Sequence, residues 1–166
     1  KSFIKLQKND LYLTLGIFTF LIFSLFIYKT HDDFLYYHFQ YSYYLTQQPT
    51  VIGIGNFGLG LRTSSSLFYL NSLFYLPIIK YFTFQITPVL ILGFSNLILI
   101  LKIQNDLKNN KYNFLTIYNL LVLIFINIFF YRISEHGTDK SAQILILILI
   151  SEILLMINFK GIIEKN

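Results

Sequence analysis

Two short groups of acidic residues and histidines interrupt an otherwise apolar sequence. His31–Asp33 follows one long apolar segment, and Glu135–Asp139 follows another. Adjacent carboxylates repel each other, so the pKa of either Asp32 or Asp33 can be raised and that residue can serve as a general base. Alternatively, the two carboxylates can bind a divalent cation together. The alternative is a solvated turn beside a membrane, followed by an aromatic helix that lies in the interface. The pair alone does not decide between the two.

A glycine-rich stretch with one arginine lies between these groups. Gly53–Gly58 matches the dinucleotide fingerprint G-x-G-x-x-G, but that motif needs a preceding strand and an acidic residue about 20 positions later. No Asp or Glu occurs between Asp33 and Asp106, so we reject this reading. The glycines more simply allow tight turns or close backbone approach, and Arg62 with Thr63–Ser66 offers donors to an oxyanion. A flexible loop with one interfacial arginine is the alternative.

The elements that carry these residues must be embedded in a membrane. The 166 residues are 55% hydrophobic and 13% charged, with a mean hydropathy of +0.59, whereas a soluble domain has about 25% charged residues. An ordinary soluble domain is therefore excluded. The chain has no cysteine, which excludes disulfides, thiolate metal sites and a cysteine nucleophile. The net charge of +5 contains no basic block of the kind that binds nucleic acid, so the lipid bilayer is the expected partner.

Five apolar segments approach the roughly 20 residues that cross the hydrocarbon layer. The second of them is short and contains Pro77 and Lys80, which favours an interfacial or re-entrant helix over a full span. We therefore predict an all-α polytopic bundle over residues 1–166 with four spans and this extra helix, and five spans are the alternative. The five segments are Leu11–Tyr28, Leu67–Phe82, Ile86–Leu101, Phe114–Tyr131 and Ala142–Phe159.

The distribution of basic residues favours the four-span arrangement with a cytoplasmic N-terminus. The inner set is then Lys1, Lys5, Lys8, Lys102, Lys108, Lys111, Lys160 and Lys165, and the smaller outer set is Lys29, Arg62, Lys80, Arg132 and Lys140. In this arrangement the loops at residues 29–66 and 132–141 both face outward. We therefore expect the two acidic groups and Arg62 to line one pocket at the outer membrane face.

Glu152 lies inside the last apolar segment. An ionisable side chain is costly there and is a candidate for function by default. We favour the interpretation that Glu152 is protonated or paired against another helix, with Asn119 or Asn127 as its partner.

Three motifs together resemble a family of bacterial multi-pass membrane proteins related to the GT-C glycosyltransferases, which use lipid-linked sugars and include the protein mannosyltransferases. The motifs are HDDFxxYH at 31–38, GNFGLGxR at 55–62 with SSLF at 65–68, and RISEHGTD at 132–139. The resemblance covers roughly residues 10–157 and implies a GT-C-like fold. GT-C enzymes usually have more spans, so we expect the chain to be the N-terminal core of a longer protein. A simple Asp-x-Asp metal motif is missing from the second acidic group.

The resemblance also implies a reaction and a location, namely sugar transfer from a polyprenyl-phosphate donor at the outer face of a bacterial inner membrane. The catalytic base would be Asp32 or Asp33, which would also be the ligands of a divalent cation such as Mg²⁺ or Mn²⁺ if one is used. A transporter or flippase-like protein for a lipid-linked or anionic substrate and a non-catalytic assembly subunit are the alternatives. The residues expected to bind substrate are His31, His38, Arg62, Glu135, His136 and Asp139.

Overall fold

The computed structural model describes residues 8–26, 33–62, 64–129 and 138–163, and these ranges are almost entirely helical. Within them, β-structure is limited to one isolated antiparallel bridge between Leu76 and Lys80. The predicted all-α class is thereby confirmed. The α-helices are α1 (Lys8–Ile22), α2 (Phe39–Gln47), α3 (Ser66–Leu73), α4 (Ile86–Lys108), α5 (Phe114–Phe129) and α6 (Thr138–Ile163). A π-helix covers Phe34–His38, and short 3₁₀ helices cover Phe23–Phe26, Ile54–Asn56, Leu59–Leu61 and Tyr81–Gln85.

Two helical stretches in the described ranges are long and apolar enough to cross a membrane. They are Tyr81–Lys108, with 28 residues, and Asp139–Ile157, with 19 residues. Phe114–Ile128 is apolar but shorter, and α1 has 15 residues. The helices thus indicate a membrane protein, since a helix needs about 20 apolar residues to cross about 30 Å of hydrocarbon.

The predicted apolar segment Leu67–Phe82 is divided in the structure rather than forming one helix. Ser65 caps α3 by accepting a hydrogen bond from the Leu67 amide at 3.3 Å. The helix ends at Leu73, and a tight turn follows in which the Lys80 amide donates to the Leu76 carbonyl at 2.6 Å. Eight residues rise only about 12 Å, so α3 is far too short to cross a bilayer.

α4 is the central helix of the bundle, because α1, α5 and α6 all pack against it. Gly93 on α4 lets the ring of Phe18 on α1 approach closely, since a Cβ there would lie 2.5 Å from the ring. Phe18 also meets Phe94 edge to face at 5.1 Å. The buried core of these four helices is formed by Leu21, Val89, Leu92, Leu99, Val122, Ile126 and Ile144.

Residues 33–85 form a layer that we call the cap. It joins the C-terminal side of α1 to the N-terminus of α4, and its helices α2 and α3 pack against each other. Aromatic side chains fill its interior, with Tyr41, Phe68 and Phe84 each no more than 2% exposed. The cap therefore stands at the end of the bundle where α4 begins.

Polar side chains also join the helices of the bundle to one another. Asn96 and Asn127 exchange two hydrogen bonds, of 3.2 and 2.6 Å, between α4 and α5. Glu152 on α6 forms an ion pair with Lys102 on α4 at 2.8 Å. Glu152 is thus paired against another helix, as expected, but its partner is Lys102 and not Asn119 or Asn127, because the register of α4 against α6 brings a lysine to the carboxylate.

Candidate functional site

The candidate site is built around the π-helix Phe34–His38, which continues directly into α2. Asp33 immediately precedes this π-helix at its N-cap position. The Phe39 amide closes the wide turn by donating to the Phe34 carbonyl. A π-turn within a helix is rare and occurs frequently at functional sites. Here it lies immediately after the predicted acidic group, so Asp33 is held on ordered helical backbone rather than on a loose loop.

The glycine-rich loop is pressed against this π-helix at Gly60. A Cβ at Gly60 would lie 2.6 Å from the Tyr36 carbonyl oxygen and 2.8 Å from the Tyr37 Cβ. Real Cβ atoms essentially never come so close, so only glycine permits this contact. The loop that carries Arg62 is therefore docked beside Tyr37.

Arg62 is exposed and also organises its own loop. Its Nε donates to the Gly55 carbonyl at 3.0 Å, and a Cβ at Gly55 would stand 3.0 Å from the Arg62 Cγ. The first glycine of the stretch, Gly53, adopts a left-handed conformation with φ of 86° and precedes a three-residue 3₁₀ turn. Neither a strand before the stretch nor a long helix after it is found among the described residues, in agreement with the rejection of the dinucleotide fingerprint.

Tyr37 is where the two predicted external loops meet. Burial raises the pKa of Tyr37 above its ordinary value, and the negative charges of Asp33 and then Asp139 raise it further. Asp139 lies in the first turn of α6, so its effect on Tyr37 joins residues 102 positions apart in sequence. The phenol of Tyr37 therefore stays protonated to a higher pH than an ordinary tyrosine, and in this form it can donate a hydrogen bond.

Aromatic packing fixes the positions of Tyr37 and His38. The two rings lie 4.2 Å apart, edge to face, and His38 is buried at 6% exposure. Phe68 on α3 contacts both, with centroids 6.3 Å from Tyr37 and 5.7 Å from His38. Since Phe68 is itself buried, its contacts with Tyr37 and His38 pack α3 against the π-helix.

An open groove of about 590 Å³ lies on the other side of α3. Leu45, Leu70 and Leu73 provide much of its apolar lining, and the Thr50 hydroxyl lies 3.0 Å from the Tyr69 hydroxyl at its edge. Burial and a hydrogen bond with Tyr69 raise the pKa of Tyr41. These hydroxyl groups connect the groove to the aromatic interior of the cap.

Four of the eight predicted site residues lie in the described part of the chain. The charges of Asp33 and Asp139 both act on Tyr37, and His38 packs against it. Arg62 lies on the loop whose Gly60 contacts Tyr37, and its own hydrogen bond is with the Gly55 carbonyl. The other four predicted residues lie outside the described ranges, namely His31, Asp32, Glu135 and His136.

The site contains some of the ligands that a divalent cation needs, but not a complete set among the described residues. Asp33 and Asp139 supply carboxylate oxygens, which Mg²⁺ and Mn²⁺ prefer. Among the residues that the structure describes, however, no three His, Asp or Glu side chains are grouped closely enough to hold one ion. We therefore derive no step through a metal.

Tyr37 is the functional candidate that the sequence prediction missed. It stands four residues after Asp33, a spacing that puts two side chains on one face of a helix. This spacing did not single out Tyr37, because the run Phe34–Tyr44 contains several aromatic residues and any of them could serve in packing.

Comparisons with known proteins gave one match. A family model described as "Domain of unknown function (DUF8201)" matches residues 1–165. Neither the curated proteins nor the solved structures contained a match.

Proposed function

The chain belongs to the DUF8201 family, and we propose that it acts as a membrane glycosyltransferase of the GT-C type. In this proposal a sugar passes from a polyprenyl-phosphate donor to a hydroxyl acceptor at the outer face of a bacterial inner membrane. The observation that carries the proposal is that the charges of Asp33 and Asp139, which come from the two predicted external loops, both act on Tyr37. A lipid-linked donor requires such a polar site at the membrane boundary, where the headgroup and the acceptor can both reach it.

The proposed topology has four spans and a cytoplasmic N-terminus. The first span is the region of α1, and the others are α4, α5 and α6, with the cap on the outer face. Two features support this arrangement: the larger set of lysines falls inside, and the cap lies at the end of the bundle where α4 and α6 both begin. The predicted residues of both external loops then share one compartment.

The proposed reaction is a displacement at the anomeric carbon of the donor sugar. An oxygen of the acceptor forms the new glycosidic bond while the bond from the anomeric carbon to the phosphate oxygen breaks. Asp33, or its neighbour Asp32, accepts the proton of the acceptor hydroxyl as general base. The bonding electrons leave with the phosphate, so the polyprenyl phosphate departs with its added negative charge.

Other residues of the site have supporting roles in this proposal. Arg62 neutralises the departing phosphate, because a guanidinium forms strong charge-assisted hydrogen bonds with phosphate oxygens. Its Nε is held by the Gly55 carbonyl, which leaves the other N–H donors of the guanidinium for this task. The protonated Tyr37 hydroxyl donates to a carboxylate or a sugar oxygen. Asp139, with Glu135 and His136, orients the sugar hydroxyls.

The groove beside α3 suits the lipid part of the donor. Its lining is mainly apolar and its volume of about 590 Å³ is within the range of about 300–1,000 Å³ found for ligand sites. In this proposal the first isoprene units lie against Leu70 and Leu73, while the phosphate points toward Arg62.

The direct test is sugar transfer in membranes by an Asp33→Asn variant. This change removes the basic oxygen charge but keeps the size of the side chain, so we expect at least a hundredfold loss of transfer. Asp10→Asn is the matched control and should retain transfer. Asp10 lies in the first turn of α1, at the end of that helix away from the cap. Full activity of both Asp33→Asn and Asp32→Asn would remove these carboxylates from the mechanism.

The same assay separates the proposed enzyme from the alternative of a transporter or flippase-like protein. A transferase produces a covalent acceptor–sugar product, whereas a transporter moves the labelled donor across the membrane without forming one. Movement of labelled lipid without product in reconstituted vesicles would therefore favour the transporter.

A further inference from the structure

A group of polar side chains joins α4, α5 and α6 away from the candidate site. Lys102 Nζ lies 2.8 Å from Glu152 Oε1 and donates to the Ser151 hydroxyl, also at 2.8 Å. That hydroxyl donates in turn to Asn119 Oδ1 at 2.7 Å. Ser151 and Asn119 are completely buried. The proposed reaction makes no use of these residues, although ionisable side chains in such apolar helices are costly to keep.

In the inner part of this group the Asn119 Oδ1 and the Ser151 hydroxyl are bonded, while the buried Asn119 Nδ2 has no partner among the described residues. The two charged members also keep unused bonding capacity. A lysine ammonium has three N–H donors, and Ser151 and Glu152 together take two of them. The Glu152 carboxylate has two oxygens, and its contact with Lys102 is made through Oε1. One donor and one acceptor are therefore left side by side.

The two charged side chains are both partly exposed on the bundle. The side chain of Glu152 is 46% exposed and that of Lys102 is 18% exposed. Lys102 and Glu152 lie on the two helices that are long and apolar enough to cross a membrane. Hydrocarbon offers neither a donor nor an acceptor, so lipid cannot satisfy these groups.

We propose that a second copy of this chain covers this surface, so that the protein is a dimer within the membrane. A twofold axis along the membrane normal brings Lys102 of each copy to Glu152 of the other. The four groups then form a square of alternating charge with no net charge, and each spare N–H meets a spare carboxylate oxygen. The surface is self-complementary, as a twofold interface requires.

The exposed side chains around Glu152 are also suited to contact with a second copy of the chain. Leu145, Leu149 and Met156 are 48%, 58% and 64% exposed. With Glu152 they are spaced at i, i+4, i+7 and i+11, which places all four on one face of α6. An apolar stripe with one polar position near its centre is the pattern that specifies register between packed helices. A second α6 would bury this stripe along its length.

Disulfide cross-linking of the full chain in its membrane tests the dimer. The sequence has no cysteine, so single cysteines can be placed at Leu149 and Met156 without background. We expect oxidation to give a product of twice the chain mass at both positions. Leu121→Cys is the matched control, since Leu121 is 60% exposed on α5, and it should give less than a tenth of that product.

A double variant then tests the charged cluster itself. Lys102→Leu/Glu152→Leu removes both charges together, which avoids the penalty of leaving one charge buried and unpaired. In the Leu149→Cys background we expect the cross-linked fraction to fall at least tenfold, with helix content unchanged. The charge swap Lys102→Glu/Glu152→Lys keeps the same number of donors and acceptors, and it should restore the cross-link.

Three results would overturn the dimer. They are a cross-link at Leu149 no stronger than at Leu121, an unchanged cross-link in the folded double-leucine variant, and a Leu149 cross-link to another protein in place of the second copy. None of these measurements depends on sugar transfer, so the dimer and the proposed function stand or fall separately.

Discussion

Gly60 and Tyr37 meet so closely that the contact has no space for even one methyl group. A Cβ at Gly60 would lie 2.8 Å from the Tyr37 Cβ and 2.6 Å from the preceding carbonyl oxygen. This contact fixes the glycine-rich loop that carries Arg62 to the π-helix. A substitution at Gly60 should therefore disturb the position of this loop.

Gly60→Ala should move the loop away from the π-helix. Overpacking of a closed contact costs about 1–3 kcal/mol, and the displaced Arg62 would no longer meet the donor phosphate. We expect a lower unfolding midpoint in detergent together with reduced sugar transfer. Gly58→Ala is the matched control, because its Cβ would lie 3.8 Å from Leu61 Cδ1 and 3.9 Å from Leu61 Cγ, which are ordinary contacts. Equal behaviour of the two alanine variants would contradict the close contact.

Tyr37→Phe should change the response of the folded protein to alkaline pH. The pKa of Tyr37 is raised by burial and by Asp33 and Asp139, so the folded state holds the phenolic proton more tightly than the unfolded state does. The resulting stability is fully present below the unfolded pKa of about 10 and is lost as the pH rises through the raised folded pKa. Thermal unfolding midpoints of Tyr37→Phe should therefore fall less steeply above about pH 10 than those of the parent.

Tyr112→Phe serves as the control for that experiment. Tyr112 is 73% exposed between α4 and α5, so its loss should leave the alkaline decline as it is in the parent. Asp139→Asn should act in the same direction as Tyr37→Phe but more weakly, because it removes one of the charges that raise the pKa of Tyr37. A decline in Tyr37→Phe as steep as in the parent would argue against a raised pKa of Tyr37.

The Asn96–Asn127 pair gives a prediction for the stability of the bundle. Asn127→Leu leaves the Asn96 amide without its partner in an apolar surrounding, which we expect to cost about 1–2 kcal/mol. The double change Asn96→Leu/Asn127→Leu removes both polar groups and should cost less than the single one. Unfolding free energies measured in the same detergent give the comparison. A double variant that is less stable than the single one would show that the pair contributes more than the satisfaction of its own hydrogen bonds.

Cysteine labelling tests the orientation of the bundle. In the four-span topology, Asn109 at the end of α4 faces the cytoplasm, whereas Ile52 in the cap is fully exposed on the outside. In intact cells a membrane-impermeant thiol reagent should label Ile52→Cys and not Asn109→Cys. After the cells are opened, both should react. Labelling of Asn109→Cys in intact cells would reverse or refute the topology.

Part of this architecture could be predicted from the sequence, because hydropathy and lysine distribution report on burial in lipid. They give the all-helical class, and they lead to the expectation that Asp33 and Asp139 face the same side. The break after α3 is also readable, since Pro77 and Lys80 do not suit a continuous span.

Other features could not be predicted, because they depend on how one apolar helix lies against another. The pairing of Lys102 with Glu152 requires the register of α4 against α6, and apolar faces of similar composition do not encode that register. Tyr37 was missed for a similar reason. Its neighbours in the aromatic run are chemically alike, and only the π-turn and the contact with Gly60 distinguish it from them.

The π-turn at Phe34–His38 also restricts how the length of this segment can vary in evolution. Its hydrogen bond spans five residues, one more than in an α-helix. A π-turn fits one extra residue into a single turn, so deletion of one residue within it would give ordinary α-helix and leave Asp33 close to its present direction relative to Tyr41 and the rest of α2. The contact of Gly60 with the Tyr36 carbonyl and the Tyr37 Cβ lies within this wide turn, however, so the deletion would disturb that contact. Members of the family that share this contact should therefore tolerate substitutions here far more readily than a change of one residue in length.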